Sequence, residues 1–505
     1  MAVKKTRRPA ALPFRAGGRL GSSAIRGKRL AIHGALALVF QTALAAVAQA
    51  QVADPMLLYD ENGTTVRGHL QFGLNAVSER NLFWDLSNTF APASGFDPDA
   101  DWLESYLKAG LSFESMLDGG LALYGKASAV VSHTLGTDAY DFRNTGRVTL
   151  EEAYLGLRMR GDGQAGFDVS VGPRELKLGT GMLIANGGSS GFERGALKMG
   201  PRKAWEMAAI GRIFSDGLTG TAFYIDPNER PANDGRNELA GLDLRFDAEE
   251  GGFLGVTYLN VLNSLSPYIQ AASGGTGAPT VLPGAREGTN ALNFYARTSP
   301  FSGPLRNWTF AADFAYEWNT RIDLDAWAGR VQVGYAFPDL PWSPSLTYSY
   351  QAFSGDDPNT AALERFDPLY YEGSPSAWAT GSKSSMVFIN SNVQAHGLAL
   401  RMQPTPRDTV TLRYSHIRAM RLNSPIQFGQ ATRVQTTGGT ANVIAGVTHP
   451  HLSDDLFLEY SRIINRNTFL TAGVSAAFPG KGIRNVVGGR VPAWTGGFLN
   501  VVVNF

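Results

Sequence analysis

The sequence predicts an all-β protein, a transmembrane antiparallel β-barrel of about 18 strands with short periplasmic turns and long extracellular loops. Three observations predict it. Apolar residues recur with period two over stretches of about ten residues, some eighteen such stretches follow one another, and the connections between them alternate short and long. A soluble strand averages about five or six residues, whereas a tilted membrane strand needs about 9–11. Inside hydrocarbon every backbone N–H and C=O must pair within the protein, so spanning strands close into a barrel. One face of each strand then meets lipid and the other meets the lumen.

The first 50 residues stand apart. Residues 1–29 carry nine basic groups and no acid, and an apolar run follows that ends in Ala48-Gln49-Ala50. A basic region, an apolar core and small residues before a cut form a secretory signal, here expected over 1–50 with the barrel over 51–505. Without the leader, 36 basic and 44 acidic groups remain, a net charge of −8. That balance argues against a polybasic nucleic-acid binder. With no cysteine, neither disulfides nor thiolate metal sites contribute. No stretch after Ala50 approaches the roughly 18 apolar residues of a membrane helix.

Strands are expected to begin near residues 65, 102, 120, 148, 166, 204, 218, 238, 253, 289, 307, 325, 345, 386, 409, 455, 468 and 495. In the first, Val66, Gly68, Leu70, Phe72, Leu74 and Ala76 alternate with Arg67, His69, Gln71, Gly73 and Asn75. The second sets Leu107, Ala109, Leu111 and Phe113 against Glu104, Tyr106, Lys108, Ser112 and Glu114. The third sets Leu121, Leu123, Ala127, Ala129 and Val131 against Tyr124, Lys126 and Ser128. In the eleventh, Trp308 and Trp318 share the apolar face ten residues apart. At roughly 3.4 Å per residue and a tilt near 40°, they are separated by about 25 Å along the membrane normal, the height of the band between aromatic girdles. Residues 387–402 read as changing phase midway. The last strand ends on Phe505, expected on the outward face at the inner interface, where it would act as an assembly signal. Long loops are expected at 80–100, 180–203, 262–288, 354–383 and 421–454, with 262–288, 354–383 and 421–454 folding in or gating the mouth.

About eighteen strands enclose a barrel wide enough for an aqueous channel. Its wall is expected to carry Arg67, Lys108, Lys126, Arg158, Arg160, Arg174, Arg212, Arg245, Arg297, Arg330 and Arg413, with the acids Glu104, Asp313 and Glu317. On the lipid side at mid-depth an Arg or Lys would cost roughly 2–4 kcal/mol. Two readings of these charges stand side by side. They solvate the wall and pair across strands, or they form a selective path for a charged solute. Catalytic groups are not apparent, and neither a cofactor nor a metal site is expected. His449-Pro450-His451 has only Asp454 and Asp455 nearby and reads as incidental. The stretch SGDDPN (354–359) reads as a turn-rich loop start in preference to a Ca²⁺ loop.

Three stretches carry a family resemblance. VSVGPRELKLGTGMLIA (169–185), LTYSYQAFSGDDPNTAALERFDPLYY (346–371) and MQPTPRDTVTLRYSH (402–416) resemble segments of the alginate-export family of outer-membrane barrels. The resemblance implies an eighteen-stranded barrel in a Gram-negative outer membrane and export of an anionic uronate polymer through an arginine-lined pore. The chain departs from the pattern where Pro173 takes the place of the motif's Arg, with Arg174 one position later, and where Thr180 and Met182 replace more polar positions. The functional expectation is therefore a channel for a hydrophilic, anionic solute, as an exporter of an acidic exopolysaccharide. A diffusion porin for small solutes, and a barrel enzyme or adhesin, are the alternatives. The partners implied are outer-membrane lipid and lipopolysaccharide, the barrel assembly machinery, the solute itself and periplasmic export proteins.

Overall fold

The computed structural model describes residues 56–505 apart from 91, 161–164, 189–191, 232–233, 249–250, 299–302, 374–377, 382–387 and 428–445. The signal peptide expected over 1–50 lies outside the described residues. Eighteen antiparallel strands run in chain order around the barrel: β1 (Thr64–Arg80), β2 (Ala100–Met116), β3 (Leu121–Gly136), β4 (Gly146–Arg160), β5 (Gly166–Val171), β6 (Met207–Ser215), β7 (Leu218–Asp226), β8 (Glu238–Asp247), β9 (Phe253–Asn263), β10 (Asn290–Arg297), β11 (Trp308–Asn319), β12 (Leu324–Ala336), β13 (Ser345–Phe353), β14 (Val393–Thr405), β15 (Asp408–Ala419), β16 (His451–Asn465), β17 (Thr468–Pro479) and β18 (Trp494–Asn504). Each pairs with the next, and β18 closes on β1 from Gln71↔Asn504 to Arg80↔Thr495. Closure leaves no open edge in hydrocarbon. Among the described residues no helix is long and apolar enough to cross a membrane; the strands make the crossing.

Alternation sorts the two faces. Large apolar strand residues stand exposed, among them Ile213 (69 %) and Val148 (67 %), while the residues between them turn inward. Trp308 stacks near Phe310 and Tyr335 at the lower end of β11, and Trp318 near Tyr258 and Tyr316 at the upper end. These are the two aromatic girdles that the spacing of the tryptophans predicts. Phe505 extends the closing ladder: its N–H donates to Leu70 O (2.8 Å) and its carbonyl accepts from Leu70 N (3.3 Å). A short strand, Leu57–Glu61, pairs with the next stretch of the same edge, where Met56 O accepts from Gly68 N (2.7 Å). The two ends of the described chain therefore cover one strand edge in tandem.

The fourteenth strand differs from its expectation. It begins at Val393, not near 386, and holds a single register against β13 as far as Arg401 and against β15 as far as Met402. The expected change of phase is absent over 393–402, and 382–387 lie outside the described residues. Residues just before Val393 serve the loop instead. The Asn390 amide donates to Trp378 O, and Asn392, at φ 56°, donates to Arg421 O and Ser424 O.

The upper half of the barrel is filled by its own loops. Residues 81–99, 172–206, 264–289 and 354–392 contribute Phe83, Trp84, Leu183, Trp205, Tyr268, Phe366 and Trp378 to one buried apolar cluster. The Trp378 indole donates to Thr180 O (3.0 Å) and the Tyr370 phenol to Glu229 (2.9 Å), so loops from distant strands are tied together. The loops expected at 262–288 and 354–383 do fold in. The part of 421–454 that covers 428–445 lies outside the described residues. The in-folding of 172–206 was not anticipated, although its apolar run Met182-Leu183-Ile184-Ala185 is unlike a solvated loop.

One loop carries a titratable latch. Asp138 Oδ1 accepts from Tyr140 N (2.9 Å) and Phe142 N (3.1 Å), and the residue is almost fully buried. Burial lifts its carboxyl from 3.8 to about 7, against the pull of those two hydrogen bonds. The folded loop thus binds the proton more tightly than the opened loop does. Its stabilisation is complete below about pH 3.8, falls as pH rises and is gone above pH 7. Hydrogen exchange of 137–145, corrected for intrinsic rates, is expected to be faster at pH 8 than at pH 5. Asp138→Asn is expected to remove that difference.

Candidate solute pathway

Below the in-folded loops the barrel interior is polar, and two clusters of charge occupy adjoining walls. The first surrounds a cavity of about 470 Å³ lined by His69, Gln71, Lys108, Lys126, Glu175 and Lys203 among others. Lys108 Nζ lies 3.0 Å from Glu175, 3.4 Å from Glu151 and 3.8 Å from Glu152, and Lys126 Nζ lies 2.6 Å from Glu152. Two consecutive glutamates reach the same interior because β4 bulges there: Ser128 pairs with Glu152 but Ala129 with Leu150, which leaves Glu151 as the extra residue. A bulge re-aims a side chain that strict alternation would send outward. Glu151 also accepts from Lys203 N (2.8 Å) and Ala204 N (3.2 Å), which anchors the loop 172–206 to the wall.

The second cluster is arginine and tyrosine. Arg158, Asp168 and Arg212 are register partners across β4, β5 and β6 and form one row on the inner face. One step above, Tyr124 faces Gly156, where a Cβ would come within 2.5 Å of the tyrosine ring. The glycine therefore lets the ring lie against the wall. Arg174 sits 4.5 Å from the Tyr154 ring centroid and 5.7 Å from that of Tyr124, and Arg158 sits 5.1 Å from Tyr124. The Tyr124 hydroxyl donates to Asp168 (2.5 Å) and accepts from Arg174 (3.0 Å). Arg158 also pairs with Glu114. Guanidinium groups stacked on rings keep N–H donors available for planar anions.

The remaining candidates divide. Arg245 forms a close pair with Asp247 (2.6–3.0 Å) over the Phe253 ring, and Arg413 lies 3.8 Å from Glu459. Arg67 and Arg297 are exposed at the lower ends of their strands. Arg160 pairs through its backbone with Gly166, and its side chain lies outside the described residues. Four expectations need correction. Glu104, Asp313, Glu317 and Arg330 point inward but are buried beneath the loops and do not face open water. Arg330 lies 3.4 Å from Asp313 and 3.6 Å from the Trp378 ring centroid. Glu317 accepts from Asp367 N (2.8 Å), and Glu104 from Lys198 N (2.8 Å) and Met199 N (2.9 Å). All four fasten loops. Strand alternation shows which side chains point inward, but only the loop fold shows which of them stay wet. Asp356 is occupied in the same way, by Ala271 N and Glu364 N, so this SGDDPN carboxylate serves backbone donors.

Comparison with known proteins adds one assignment of sequence. Residues 287–490 match the alginate export family. The alginate-export match spans β10 to β17, and two of the three resembling stretches, 346–371 and 402–416, fall within it, while 169–185 lies outside. No curated protein matches the chain. Among solved structures, Pseudomonas aeruginosa OccK5 (OpdH) is 10 % identical with a TM-score of 0.47, covering 87 % of this chain and 98 % of its own. Acinetobacter baumannii OccAB1 is 10 % identical with a TM-score of 0.49, covering 87 % and 96 %. Pseudomonas aeruginosa OccK2 (OpdF), solved with glucuronate, is 12 % identical with a TM-score of 0.46, covering 87 % and 96 %. The closed eighteen-stranded wall with its apolar outer band and the alginate-export match identify an outer-membrane β-barrel channel.

Proposed function

We propose that this barrel passes a hydrophilic anionic solute and exports an acidic polysaccharide. The observation that carries the reading is the inner-wall array of Arg158, Arg174 and Arg212 with Tyr124 and Tyr154. Its neighbouring carboxylates are Asp168 and Glu114, with Asp243 also within electrostatic reach of Arg212, so the guanidinium groups are held in place by acids set among them. Sugar rings stack on aromatic faces while guanidinium groups meet carboxylates, so one surface serves both parts of a uronate unit. The acids keep each contact weak enough to release. Of the remaining wall set, Arg67, Arg160 and Arg297 would add to the field along the path, Lys108, Lys126, Arg245 and Arg413 being paired with carboxylates, and Phe505 would serve the assembly machinery as the closing-strand signal.

The lysine cluster favours the second reading, a diffusion porin. Lys108 and Lys126 are neutralised by three glutamates, and such a wall passes small solutes of either sign. A planar-bilayer reversal potential under a KCl gradient separates the two. The exporter reading expects anion preference, block by uronate oligomers, and loss of both when Arg158, Arg174 and Arg212 are all replaced by Gln. Cation preference, or indifference to the oligomers, would leave the porin.

A further inference from the structure

On the outer face of the wall, near the upper rim, two histidines and a carboxylate converge. His416 Nδ1 lies 2.7 Å from Asp454 Oδ1, and His451 Nε2 lies 2.8 Å from Asp454 Oδ2. The imidazoles stack at 4.9 Å, and all three ligand atoms lie within 4.8 Å of one another. We propose that His416, His451 and Asp454 form a binding site for a borderline divalent cation of the Zn²⁺ class.

The fold builds this arrangement. His416 and Asp454 are register partners on β15 and β16, so they share a face at the closest cross-strand approach. His451 precedes Asp454 by three residues, and regular alternation would send the two to opposite sides of the wall. A bulge prevents that: Ile417 pairs with Ser453, but Arg418 pairs with His451, which leaves Leu452 as the extra residue. Leu452 is fully buried, and its carbonyl accepts from Gly480 N (2.6 Å), which fixes the bulge. Bulges at barrel rims re-aim single side chains. Here the re-aimed side chain completes the set.

The donor atoms suit the metal. Two imidazole nitrogens and one carboxylate oxygen select a borderline ion over Ca²⁺ or Mg²⁺, which take oxygen shells. Tetrahedral sites with ligand distances of about 2.0–2.1 Å have edges of about 3.3 Å, so the imidazole in contact with the ligating carboxylate oxygen opens slightly from 2.7 or 2.8 Å, while the set as a whole, within 4.8 Å, draws in around the ion. The Tyr414 hydroxyl donates to Asp454 Oδ1 (2.8 Å) and orients the carboxylate from behind, as outer-shell partners of metal ligands do. The three side chains are each about 30 % exposed, which leaves a fourth position for water.

Titration of the untagged, detergent-solubilised barrel with ZnCl₂ in a calorimeter tests the proposal. One saturable equivalent per chain is expected, unaffected by equimolar Ca²⁺. Substitution of Co²⁺ should give the visible absorption of a tetrahedral ion. His416→Gln and Asp454→Asn are each expected to weaken binding by more than about tenfold, while His396→Ala, across the strand from His416, leaves it unchanged. Heat-modifiable gel mobility verifies that each variant remains a closed barrel. Absence of saturable uptake, uptake unchanged in His416→Gln and Asp454→Asn, equal competition by Ca²⁺, or equal loss in His396→Ala would overturn the site.

Discussion

Glu104→Ala is expected to raise single-channel conductance several-fold and to make the open level noisy. The reason lies in what Glu104 holds. One fully buried carboxylate accepts from the backbone N–H groups of Lys198 and Met199, from the Trp102 indole (2.8 Å) and from the Asn75 amide (3.3 Å). Two of those donors belong to the loop 172–206, and the other two to the wall. Removing the acceptor leaves up to four buried donors unsatisfied, at roughly 1–3 kcal/mol each. The loop escapes that cost by swinging away from the wall into water. A neighbouring contact works in the same sense, since Lys198 also pairs with the buried Glu79 and lies over the Trp102 ring. The wall itself should survive, because β2 is paired along its length with β1 and β3 independently of the loop. The measurement is conductance in a planar bilayer, with circular dichroism to confirm intact strands. Unchanged conductance would mean that 172–206 does not obstruct the path.

The example shows how far sequence reasoning reaches in such a chain. Strand positions are legible because alternation is a local rule imposed on every residue by lipid on one side, and fifteen of the eighteen expected starts fall within two residues of the observed ones. The exceptions touch loops. Expected starts near 204 and 455 miss the observed Met207 and His451, where the chain leaves or enters an in-folded segment, and 386 is furthest off because 388–392 serve the loop. The inward direction of Lys126 and Glu104 was also legible, yet the difference between them was not. Lys126 and Glu104 look alike in sequence, each a charge on the polar face of an alternating strand. One lines a cavity and the other is sealed by Lys198 and Met199, nearly a hundred residues away. Glu151 was lost to alternation itself, since a period-two rule assigns it to lipid and only the bulge brings it inward. His416 escaped for a third reason. Its partners are 35 and 38 positions on, and nothing short of the strand register joins them.

Asp367→Ala is expected to have the second large effect, freeing the upper mouth. Asp367 receives two hydrogen bonds from the Arg286 guanidinium (2.6 and 2.9 Å), and its own N–H reaches the fully buried Glu317 on β11. Burial presses the Arg286 charge toward neutrality, yet the Asp367 carboxylate holds it above its usual pKa. The pair thus clasps the loop 354–392 to the loop 264–289 over a wall residue. Removing one member of a buried pair costs about 3–5 kcal/mol, because the other is left as an uncompensated charge. No barrel strand depends on this pair, so the strain should be relieved by separation of the two loops with the wall unchanged. Limited proteolysis of the detergent-solubilised protein should cut within 354–392 in the variant and spare the wild type, with the heat-modifiable barrel intact in both. Asp367→Asn should be milder, since its amide oxygen still accepts from Arg286. Simultaneous Arg286→Met and Asp367→Leu should restore much of the protection, because apolar replacements of a buried pair leave no charge behind. If Asp367→Ala resists cleavage as the wild type does, the clasp does not hold the mouth, and the packing of Phe366 and Trp378 against Phe353 is sufficient by itself.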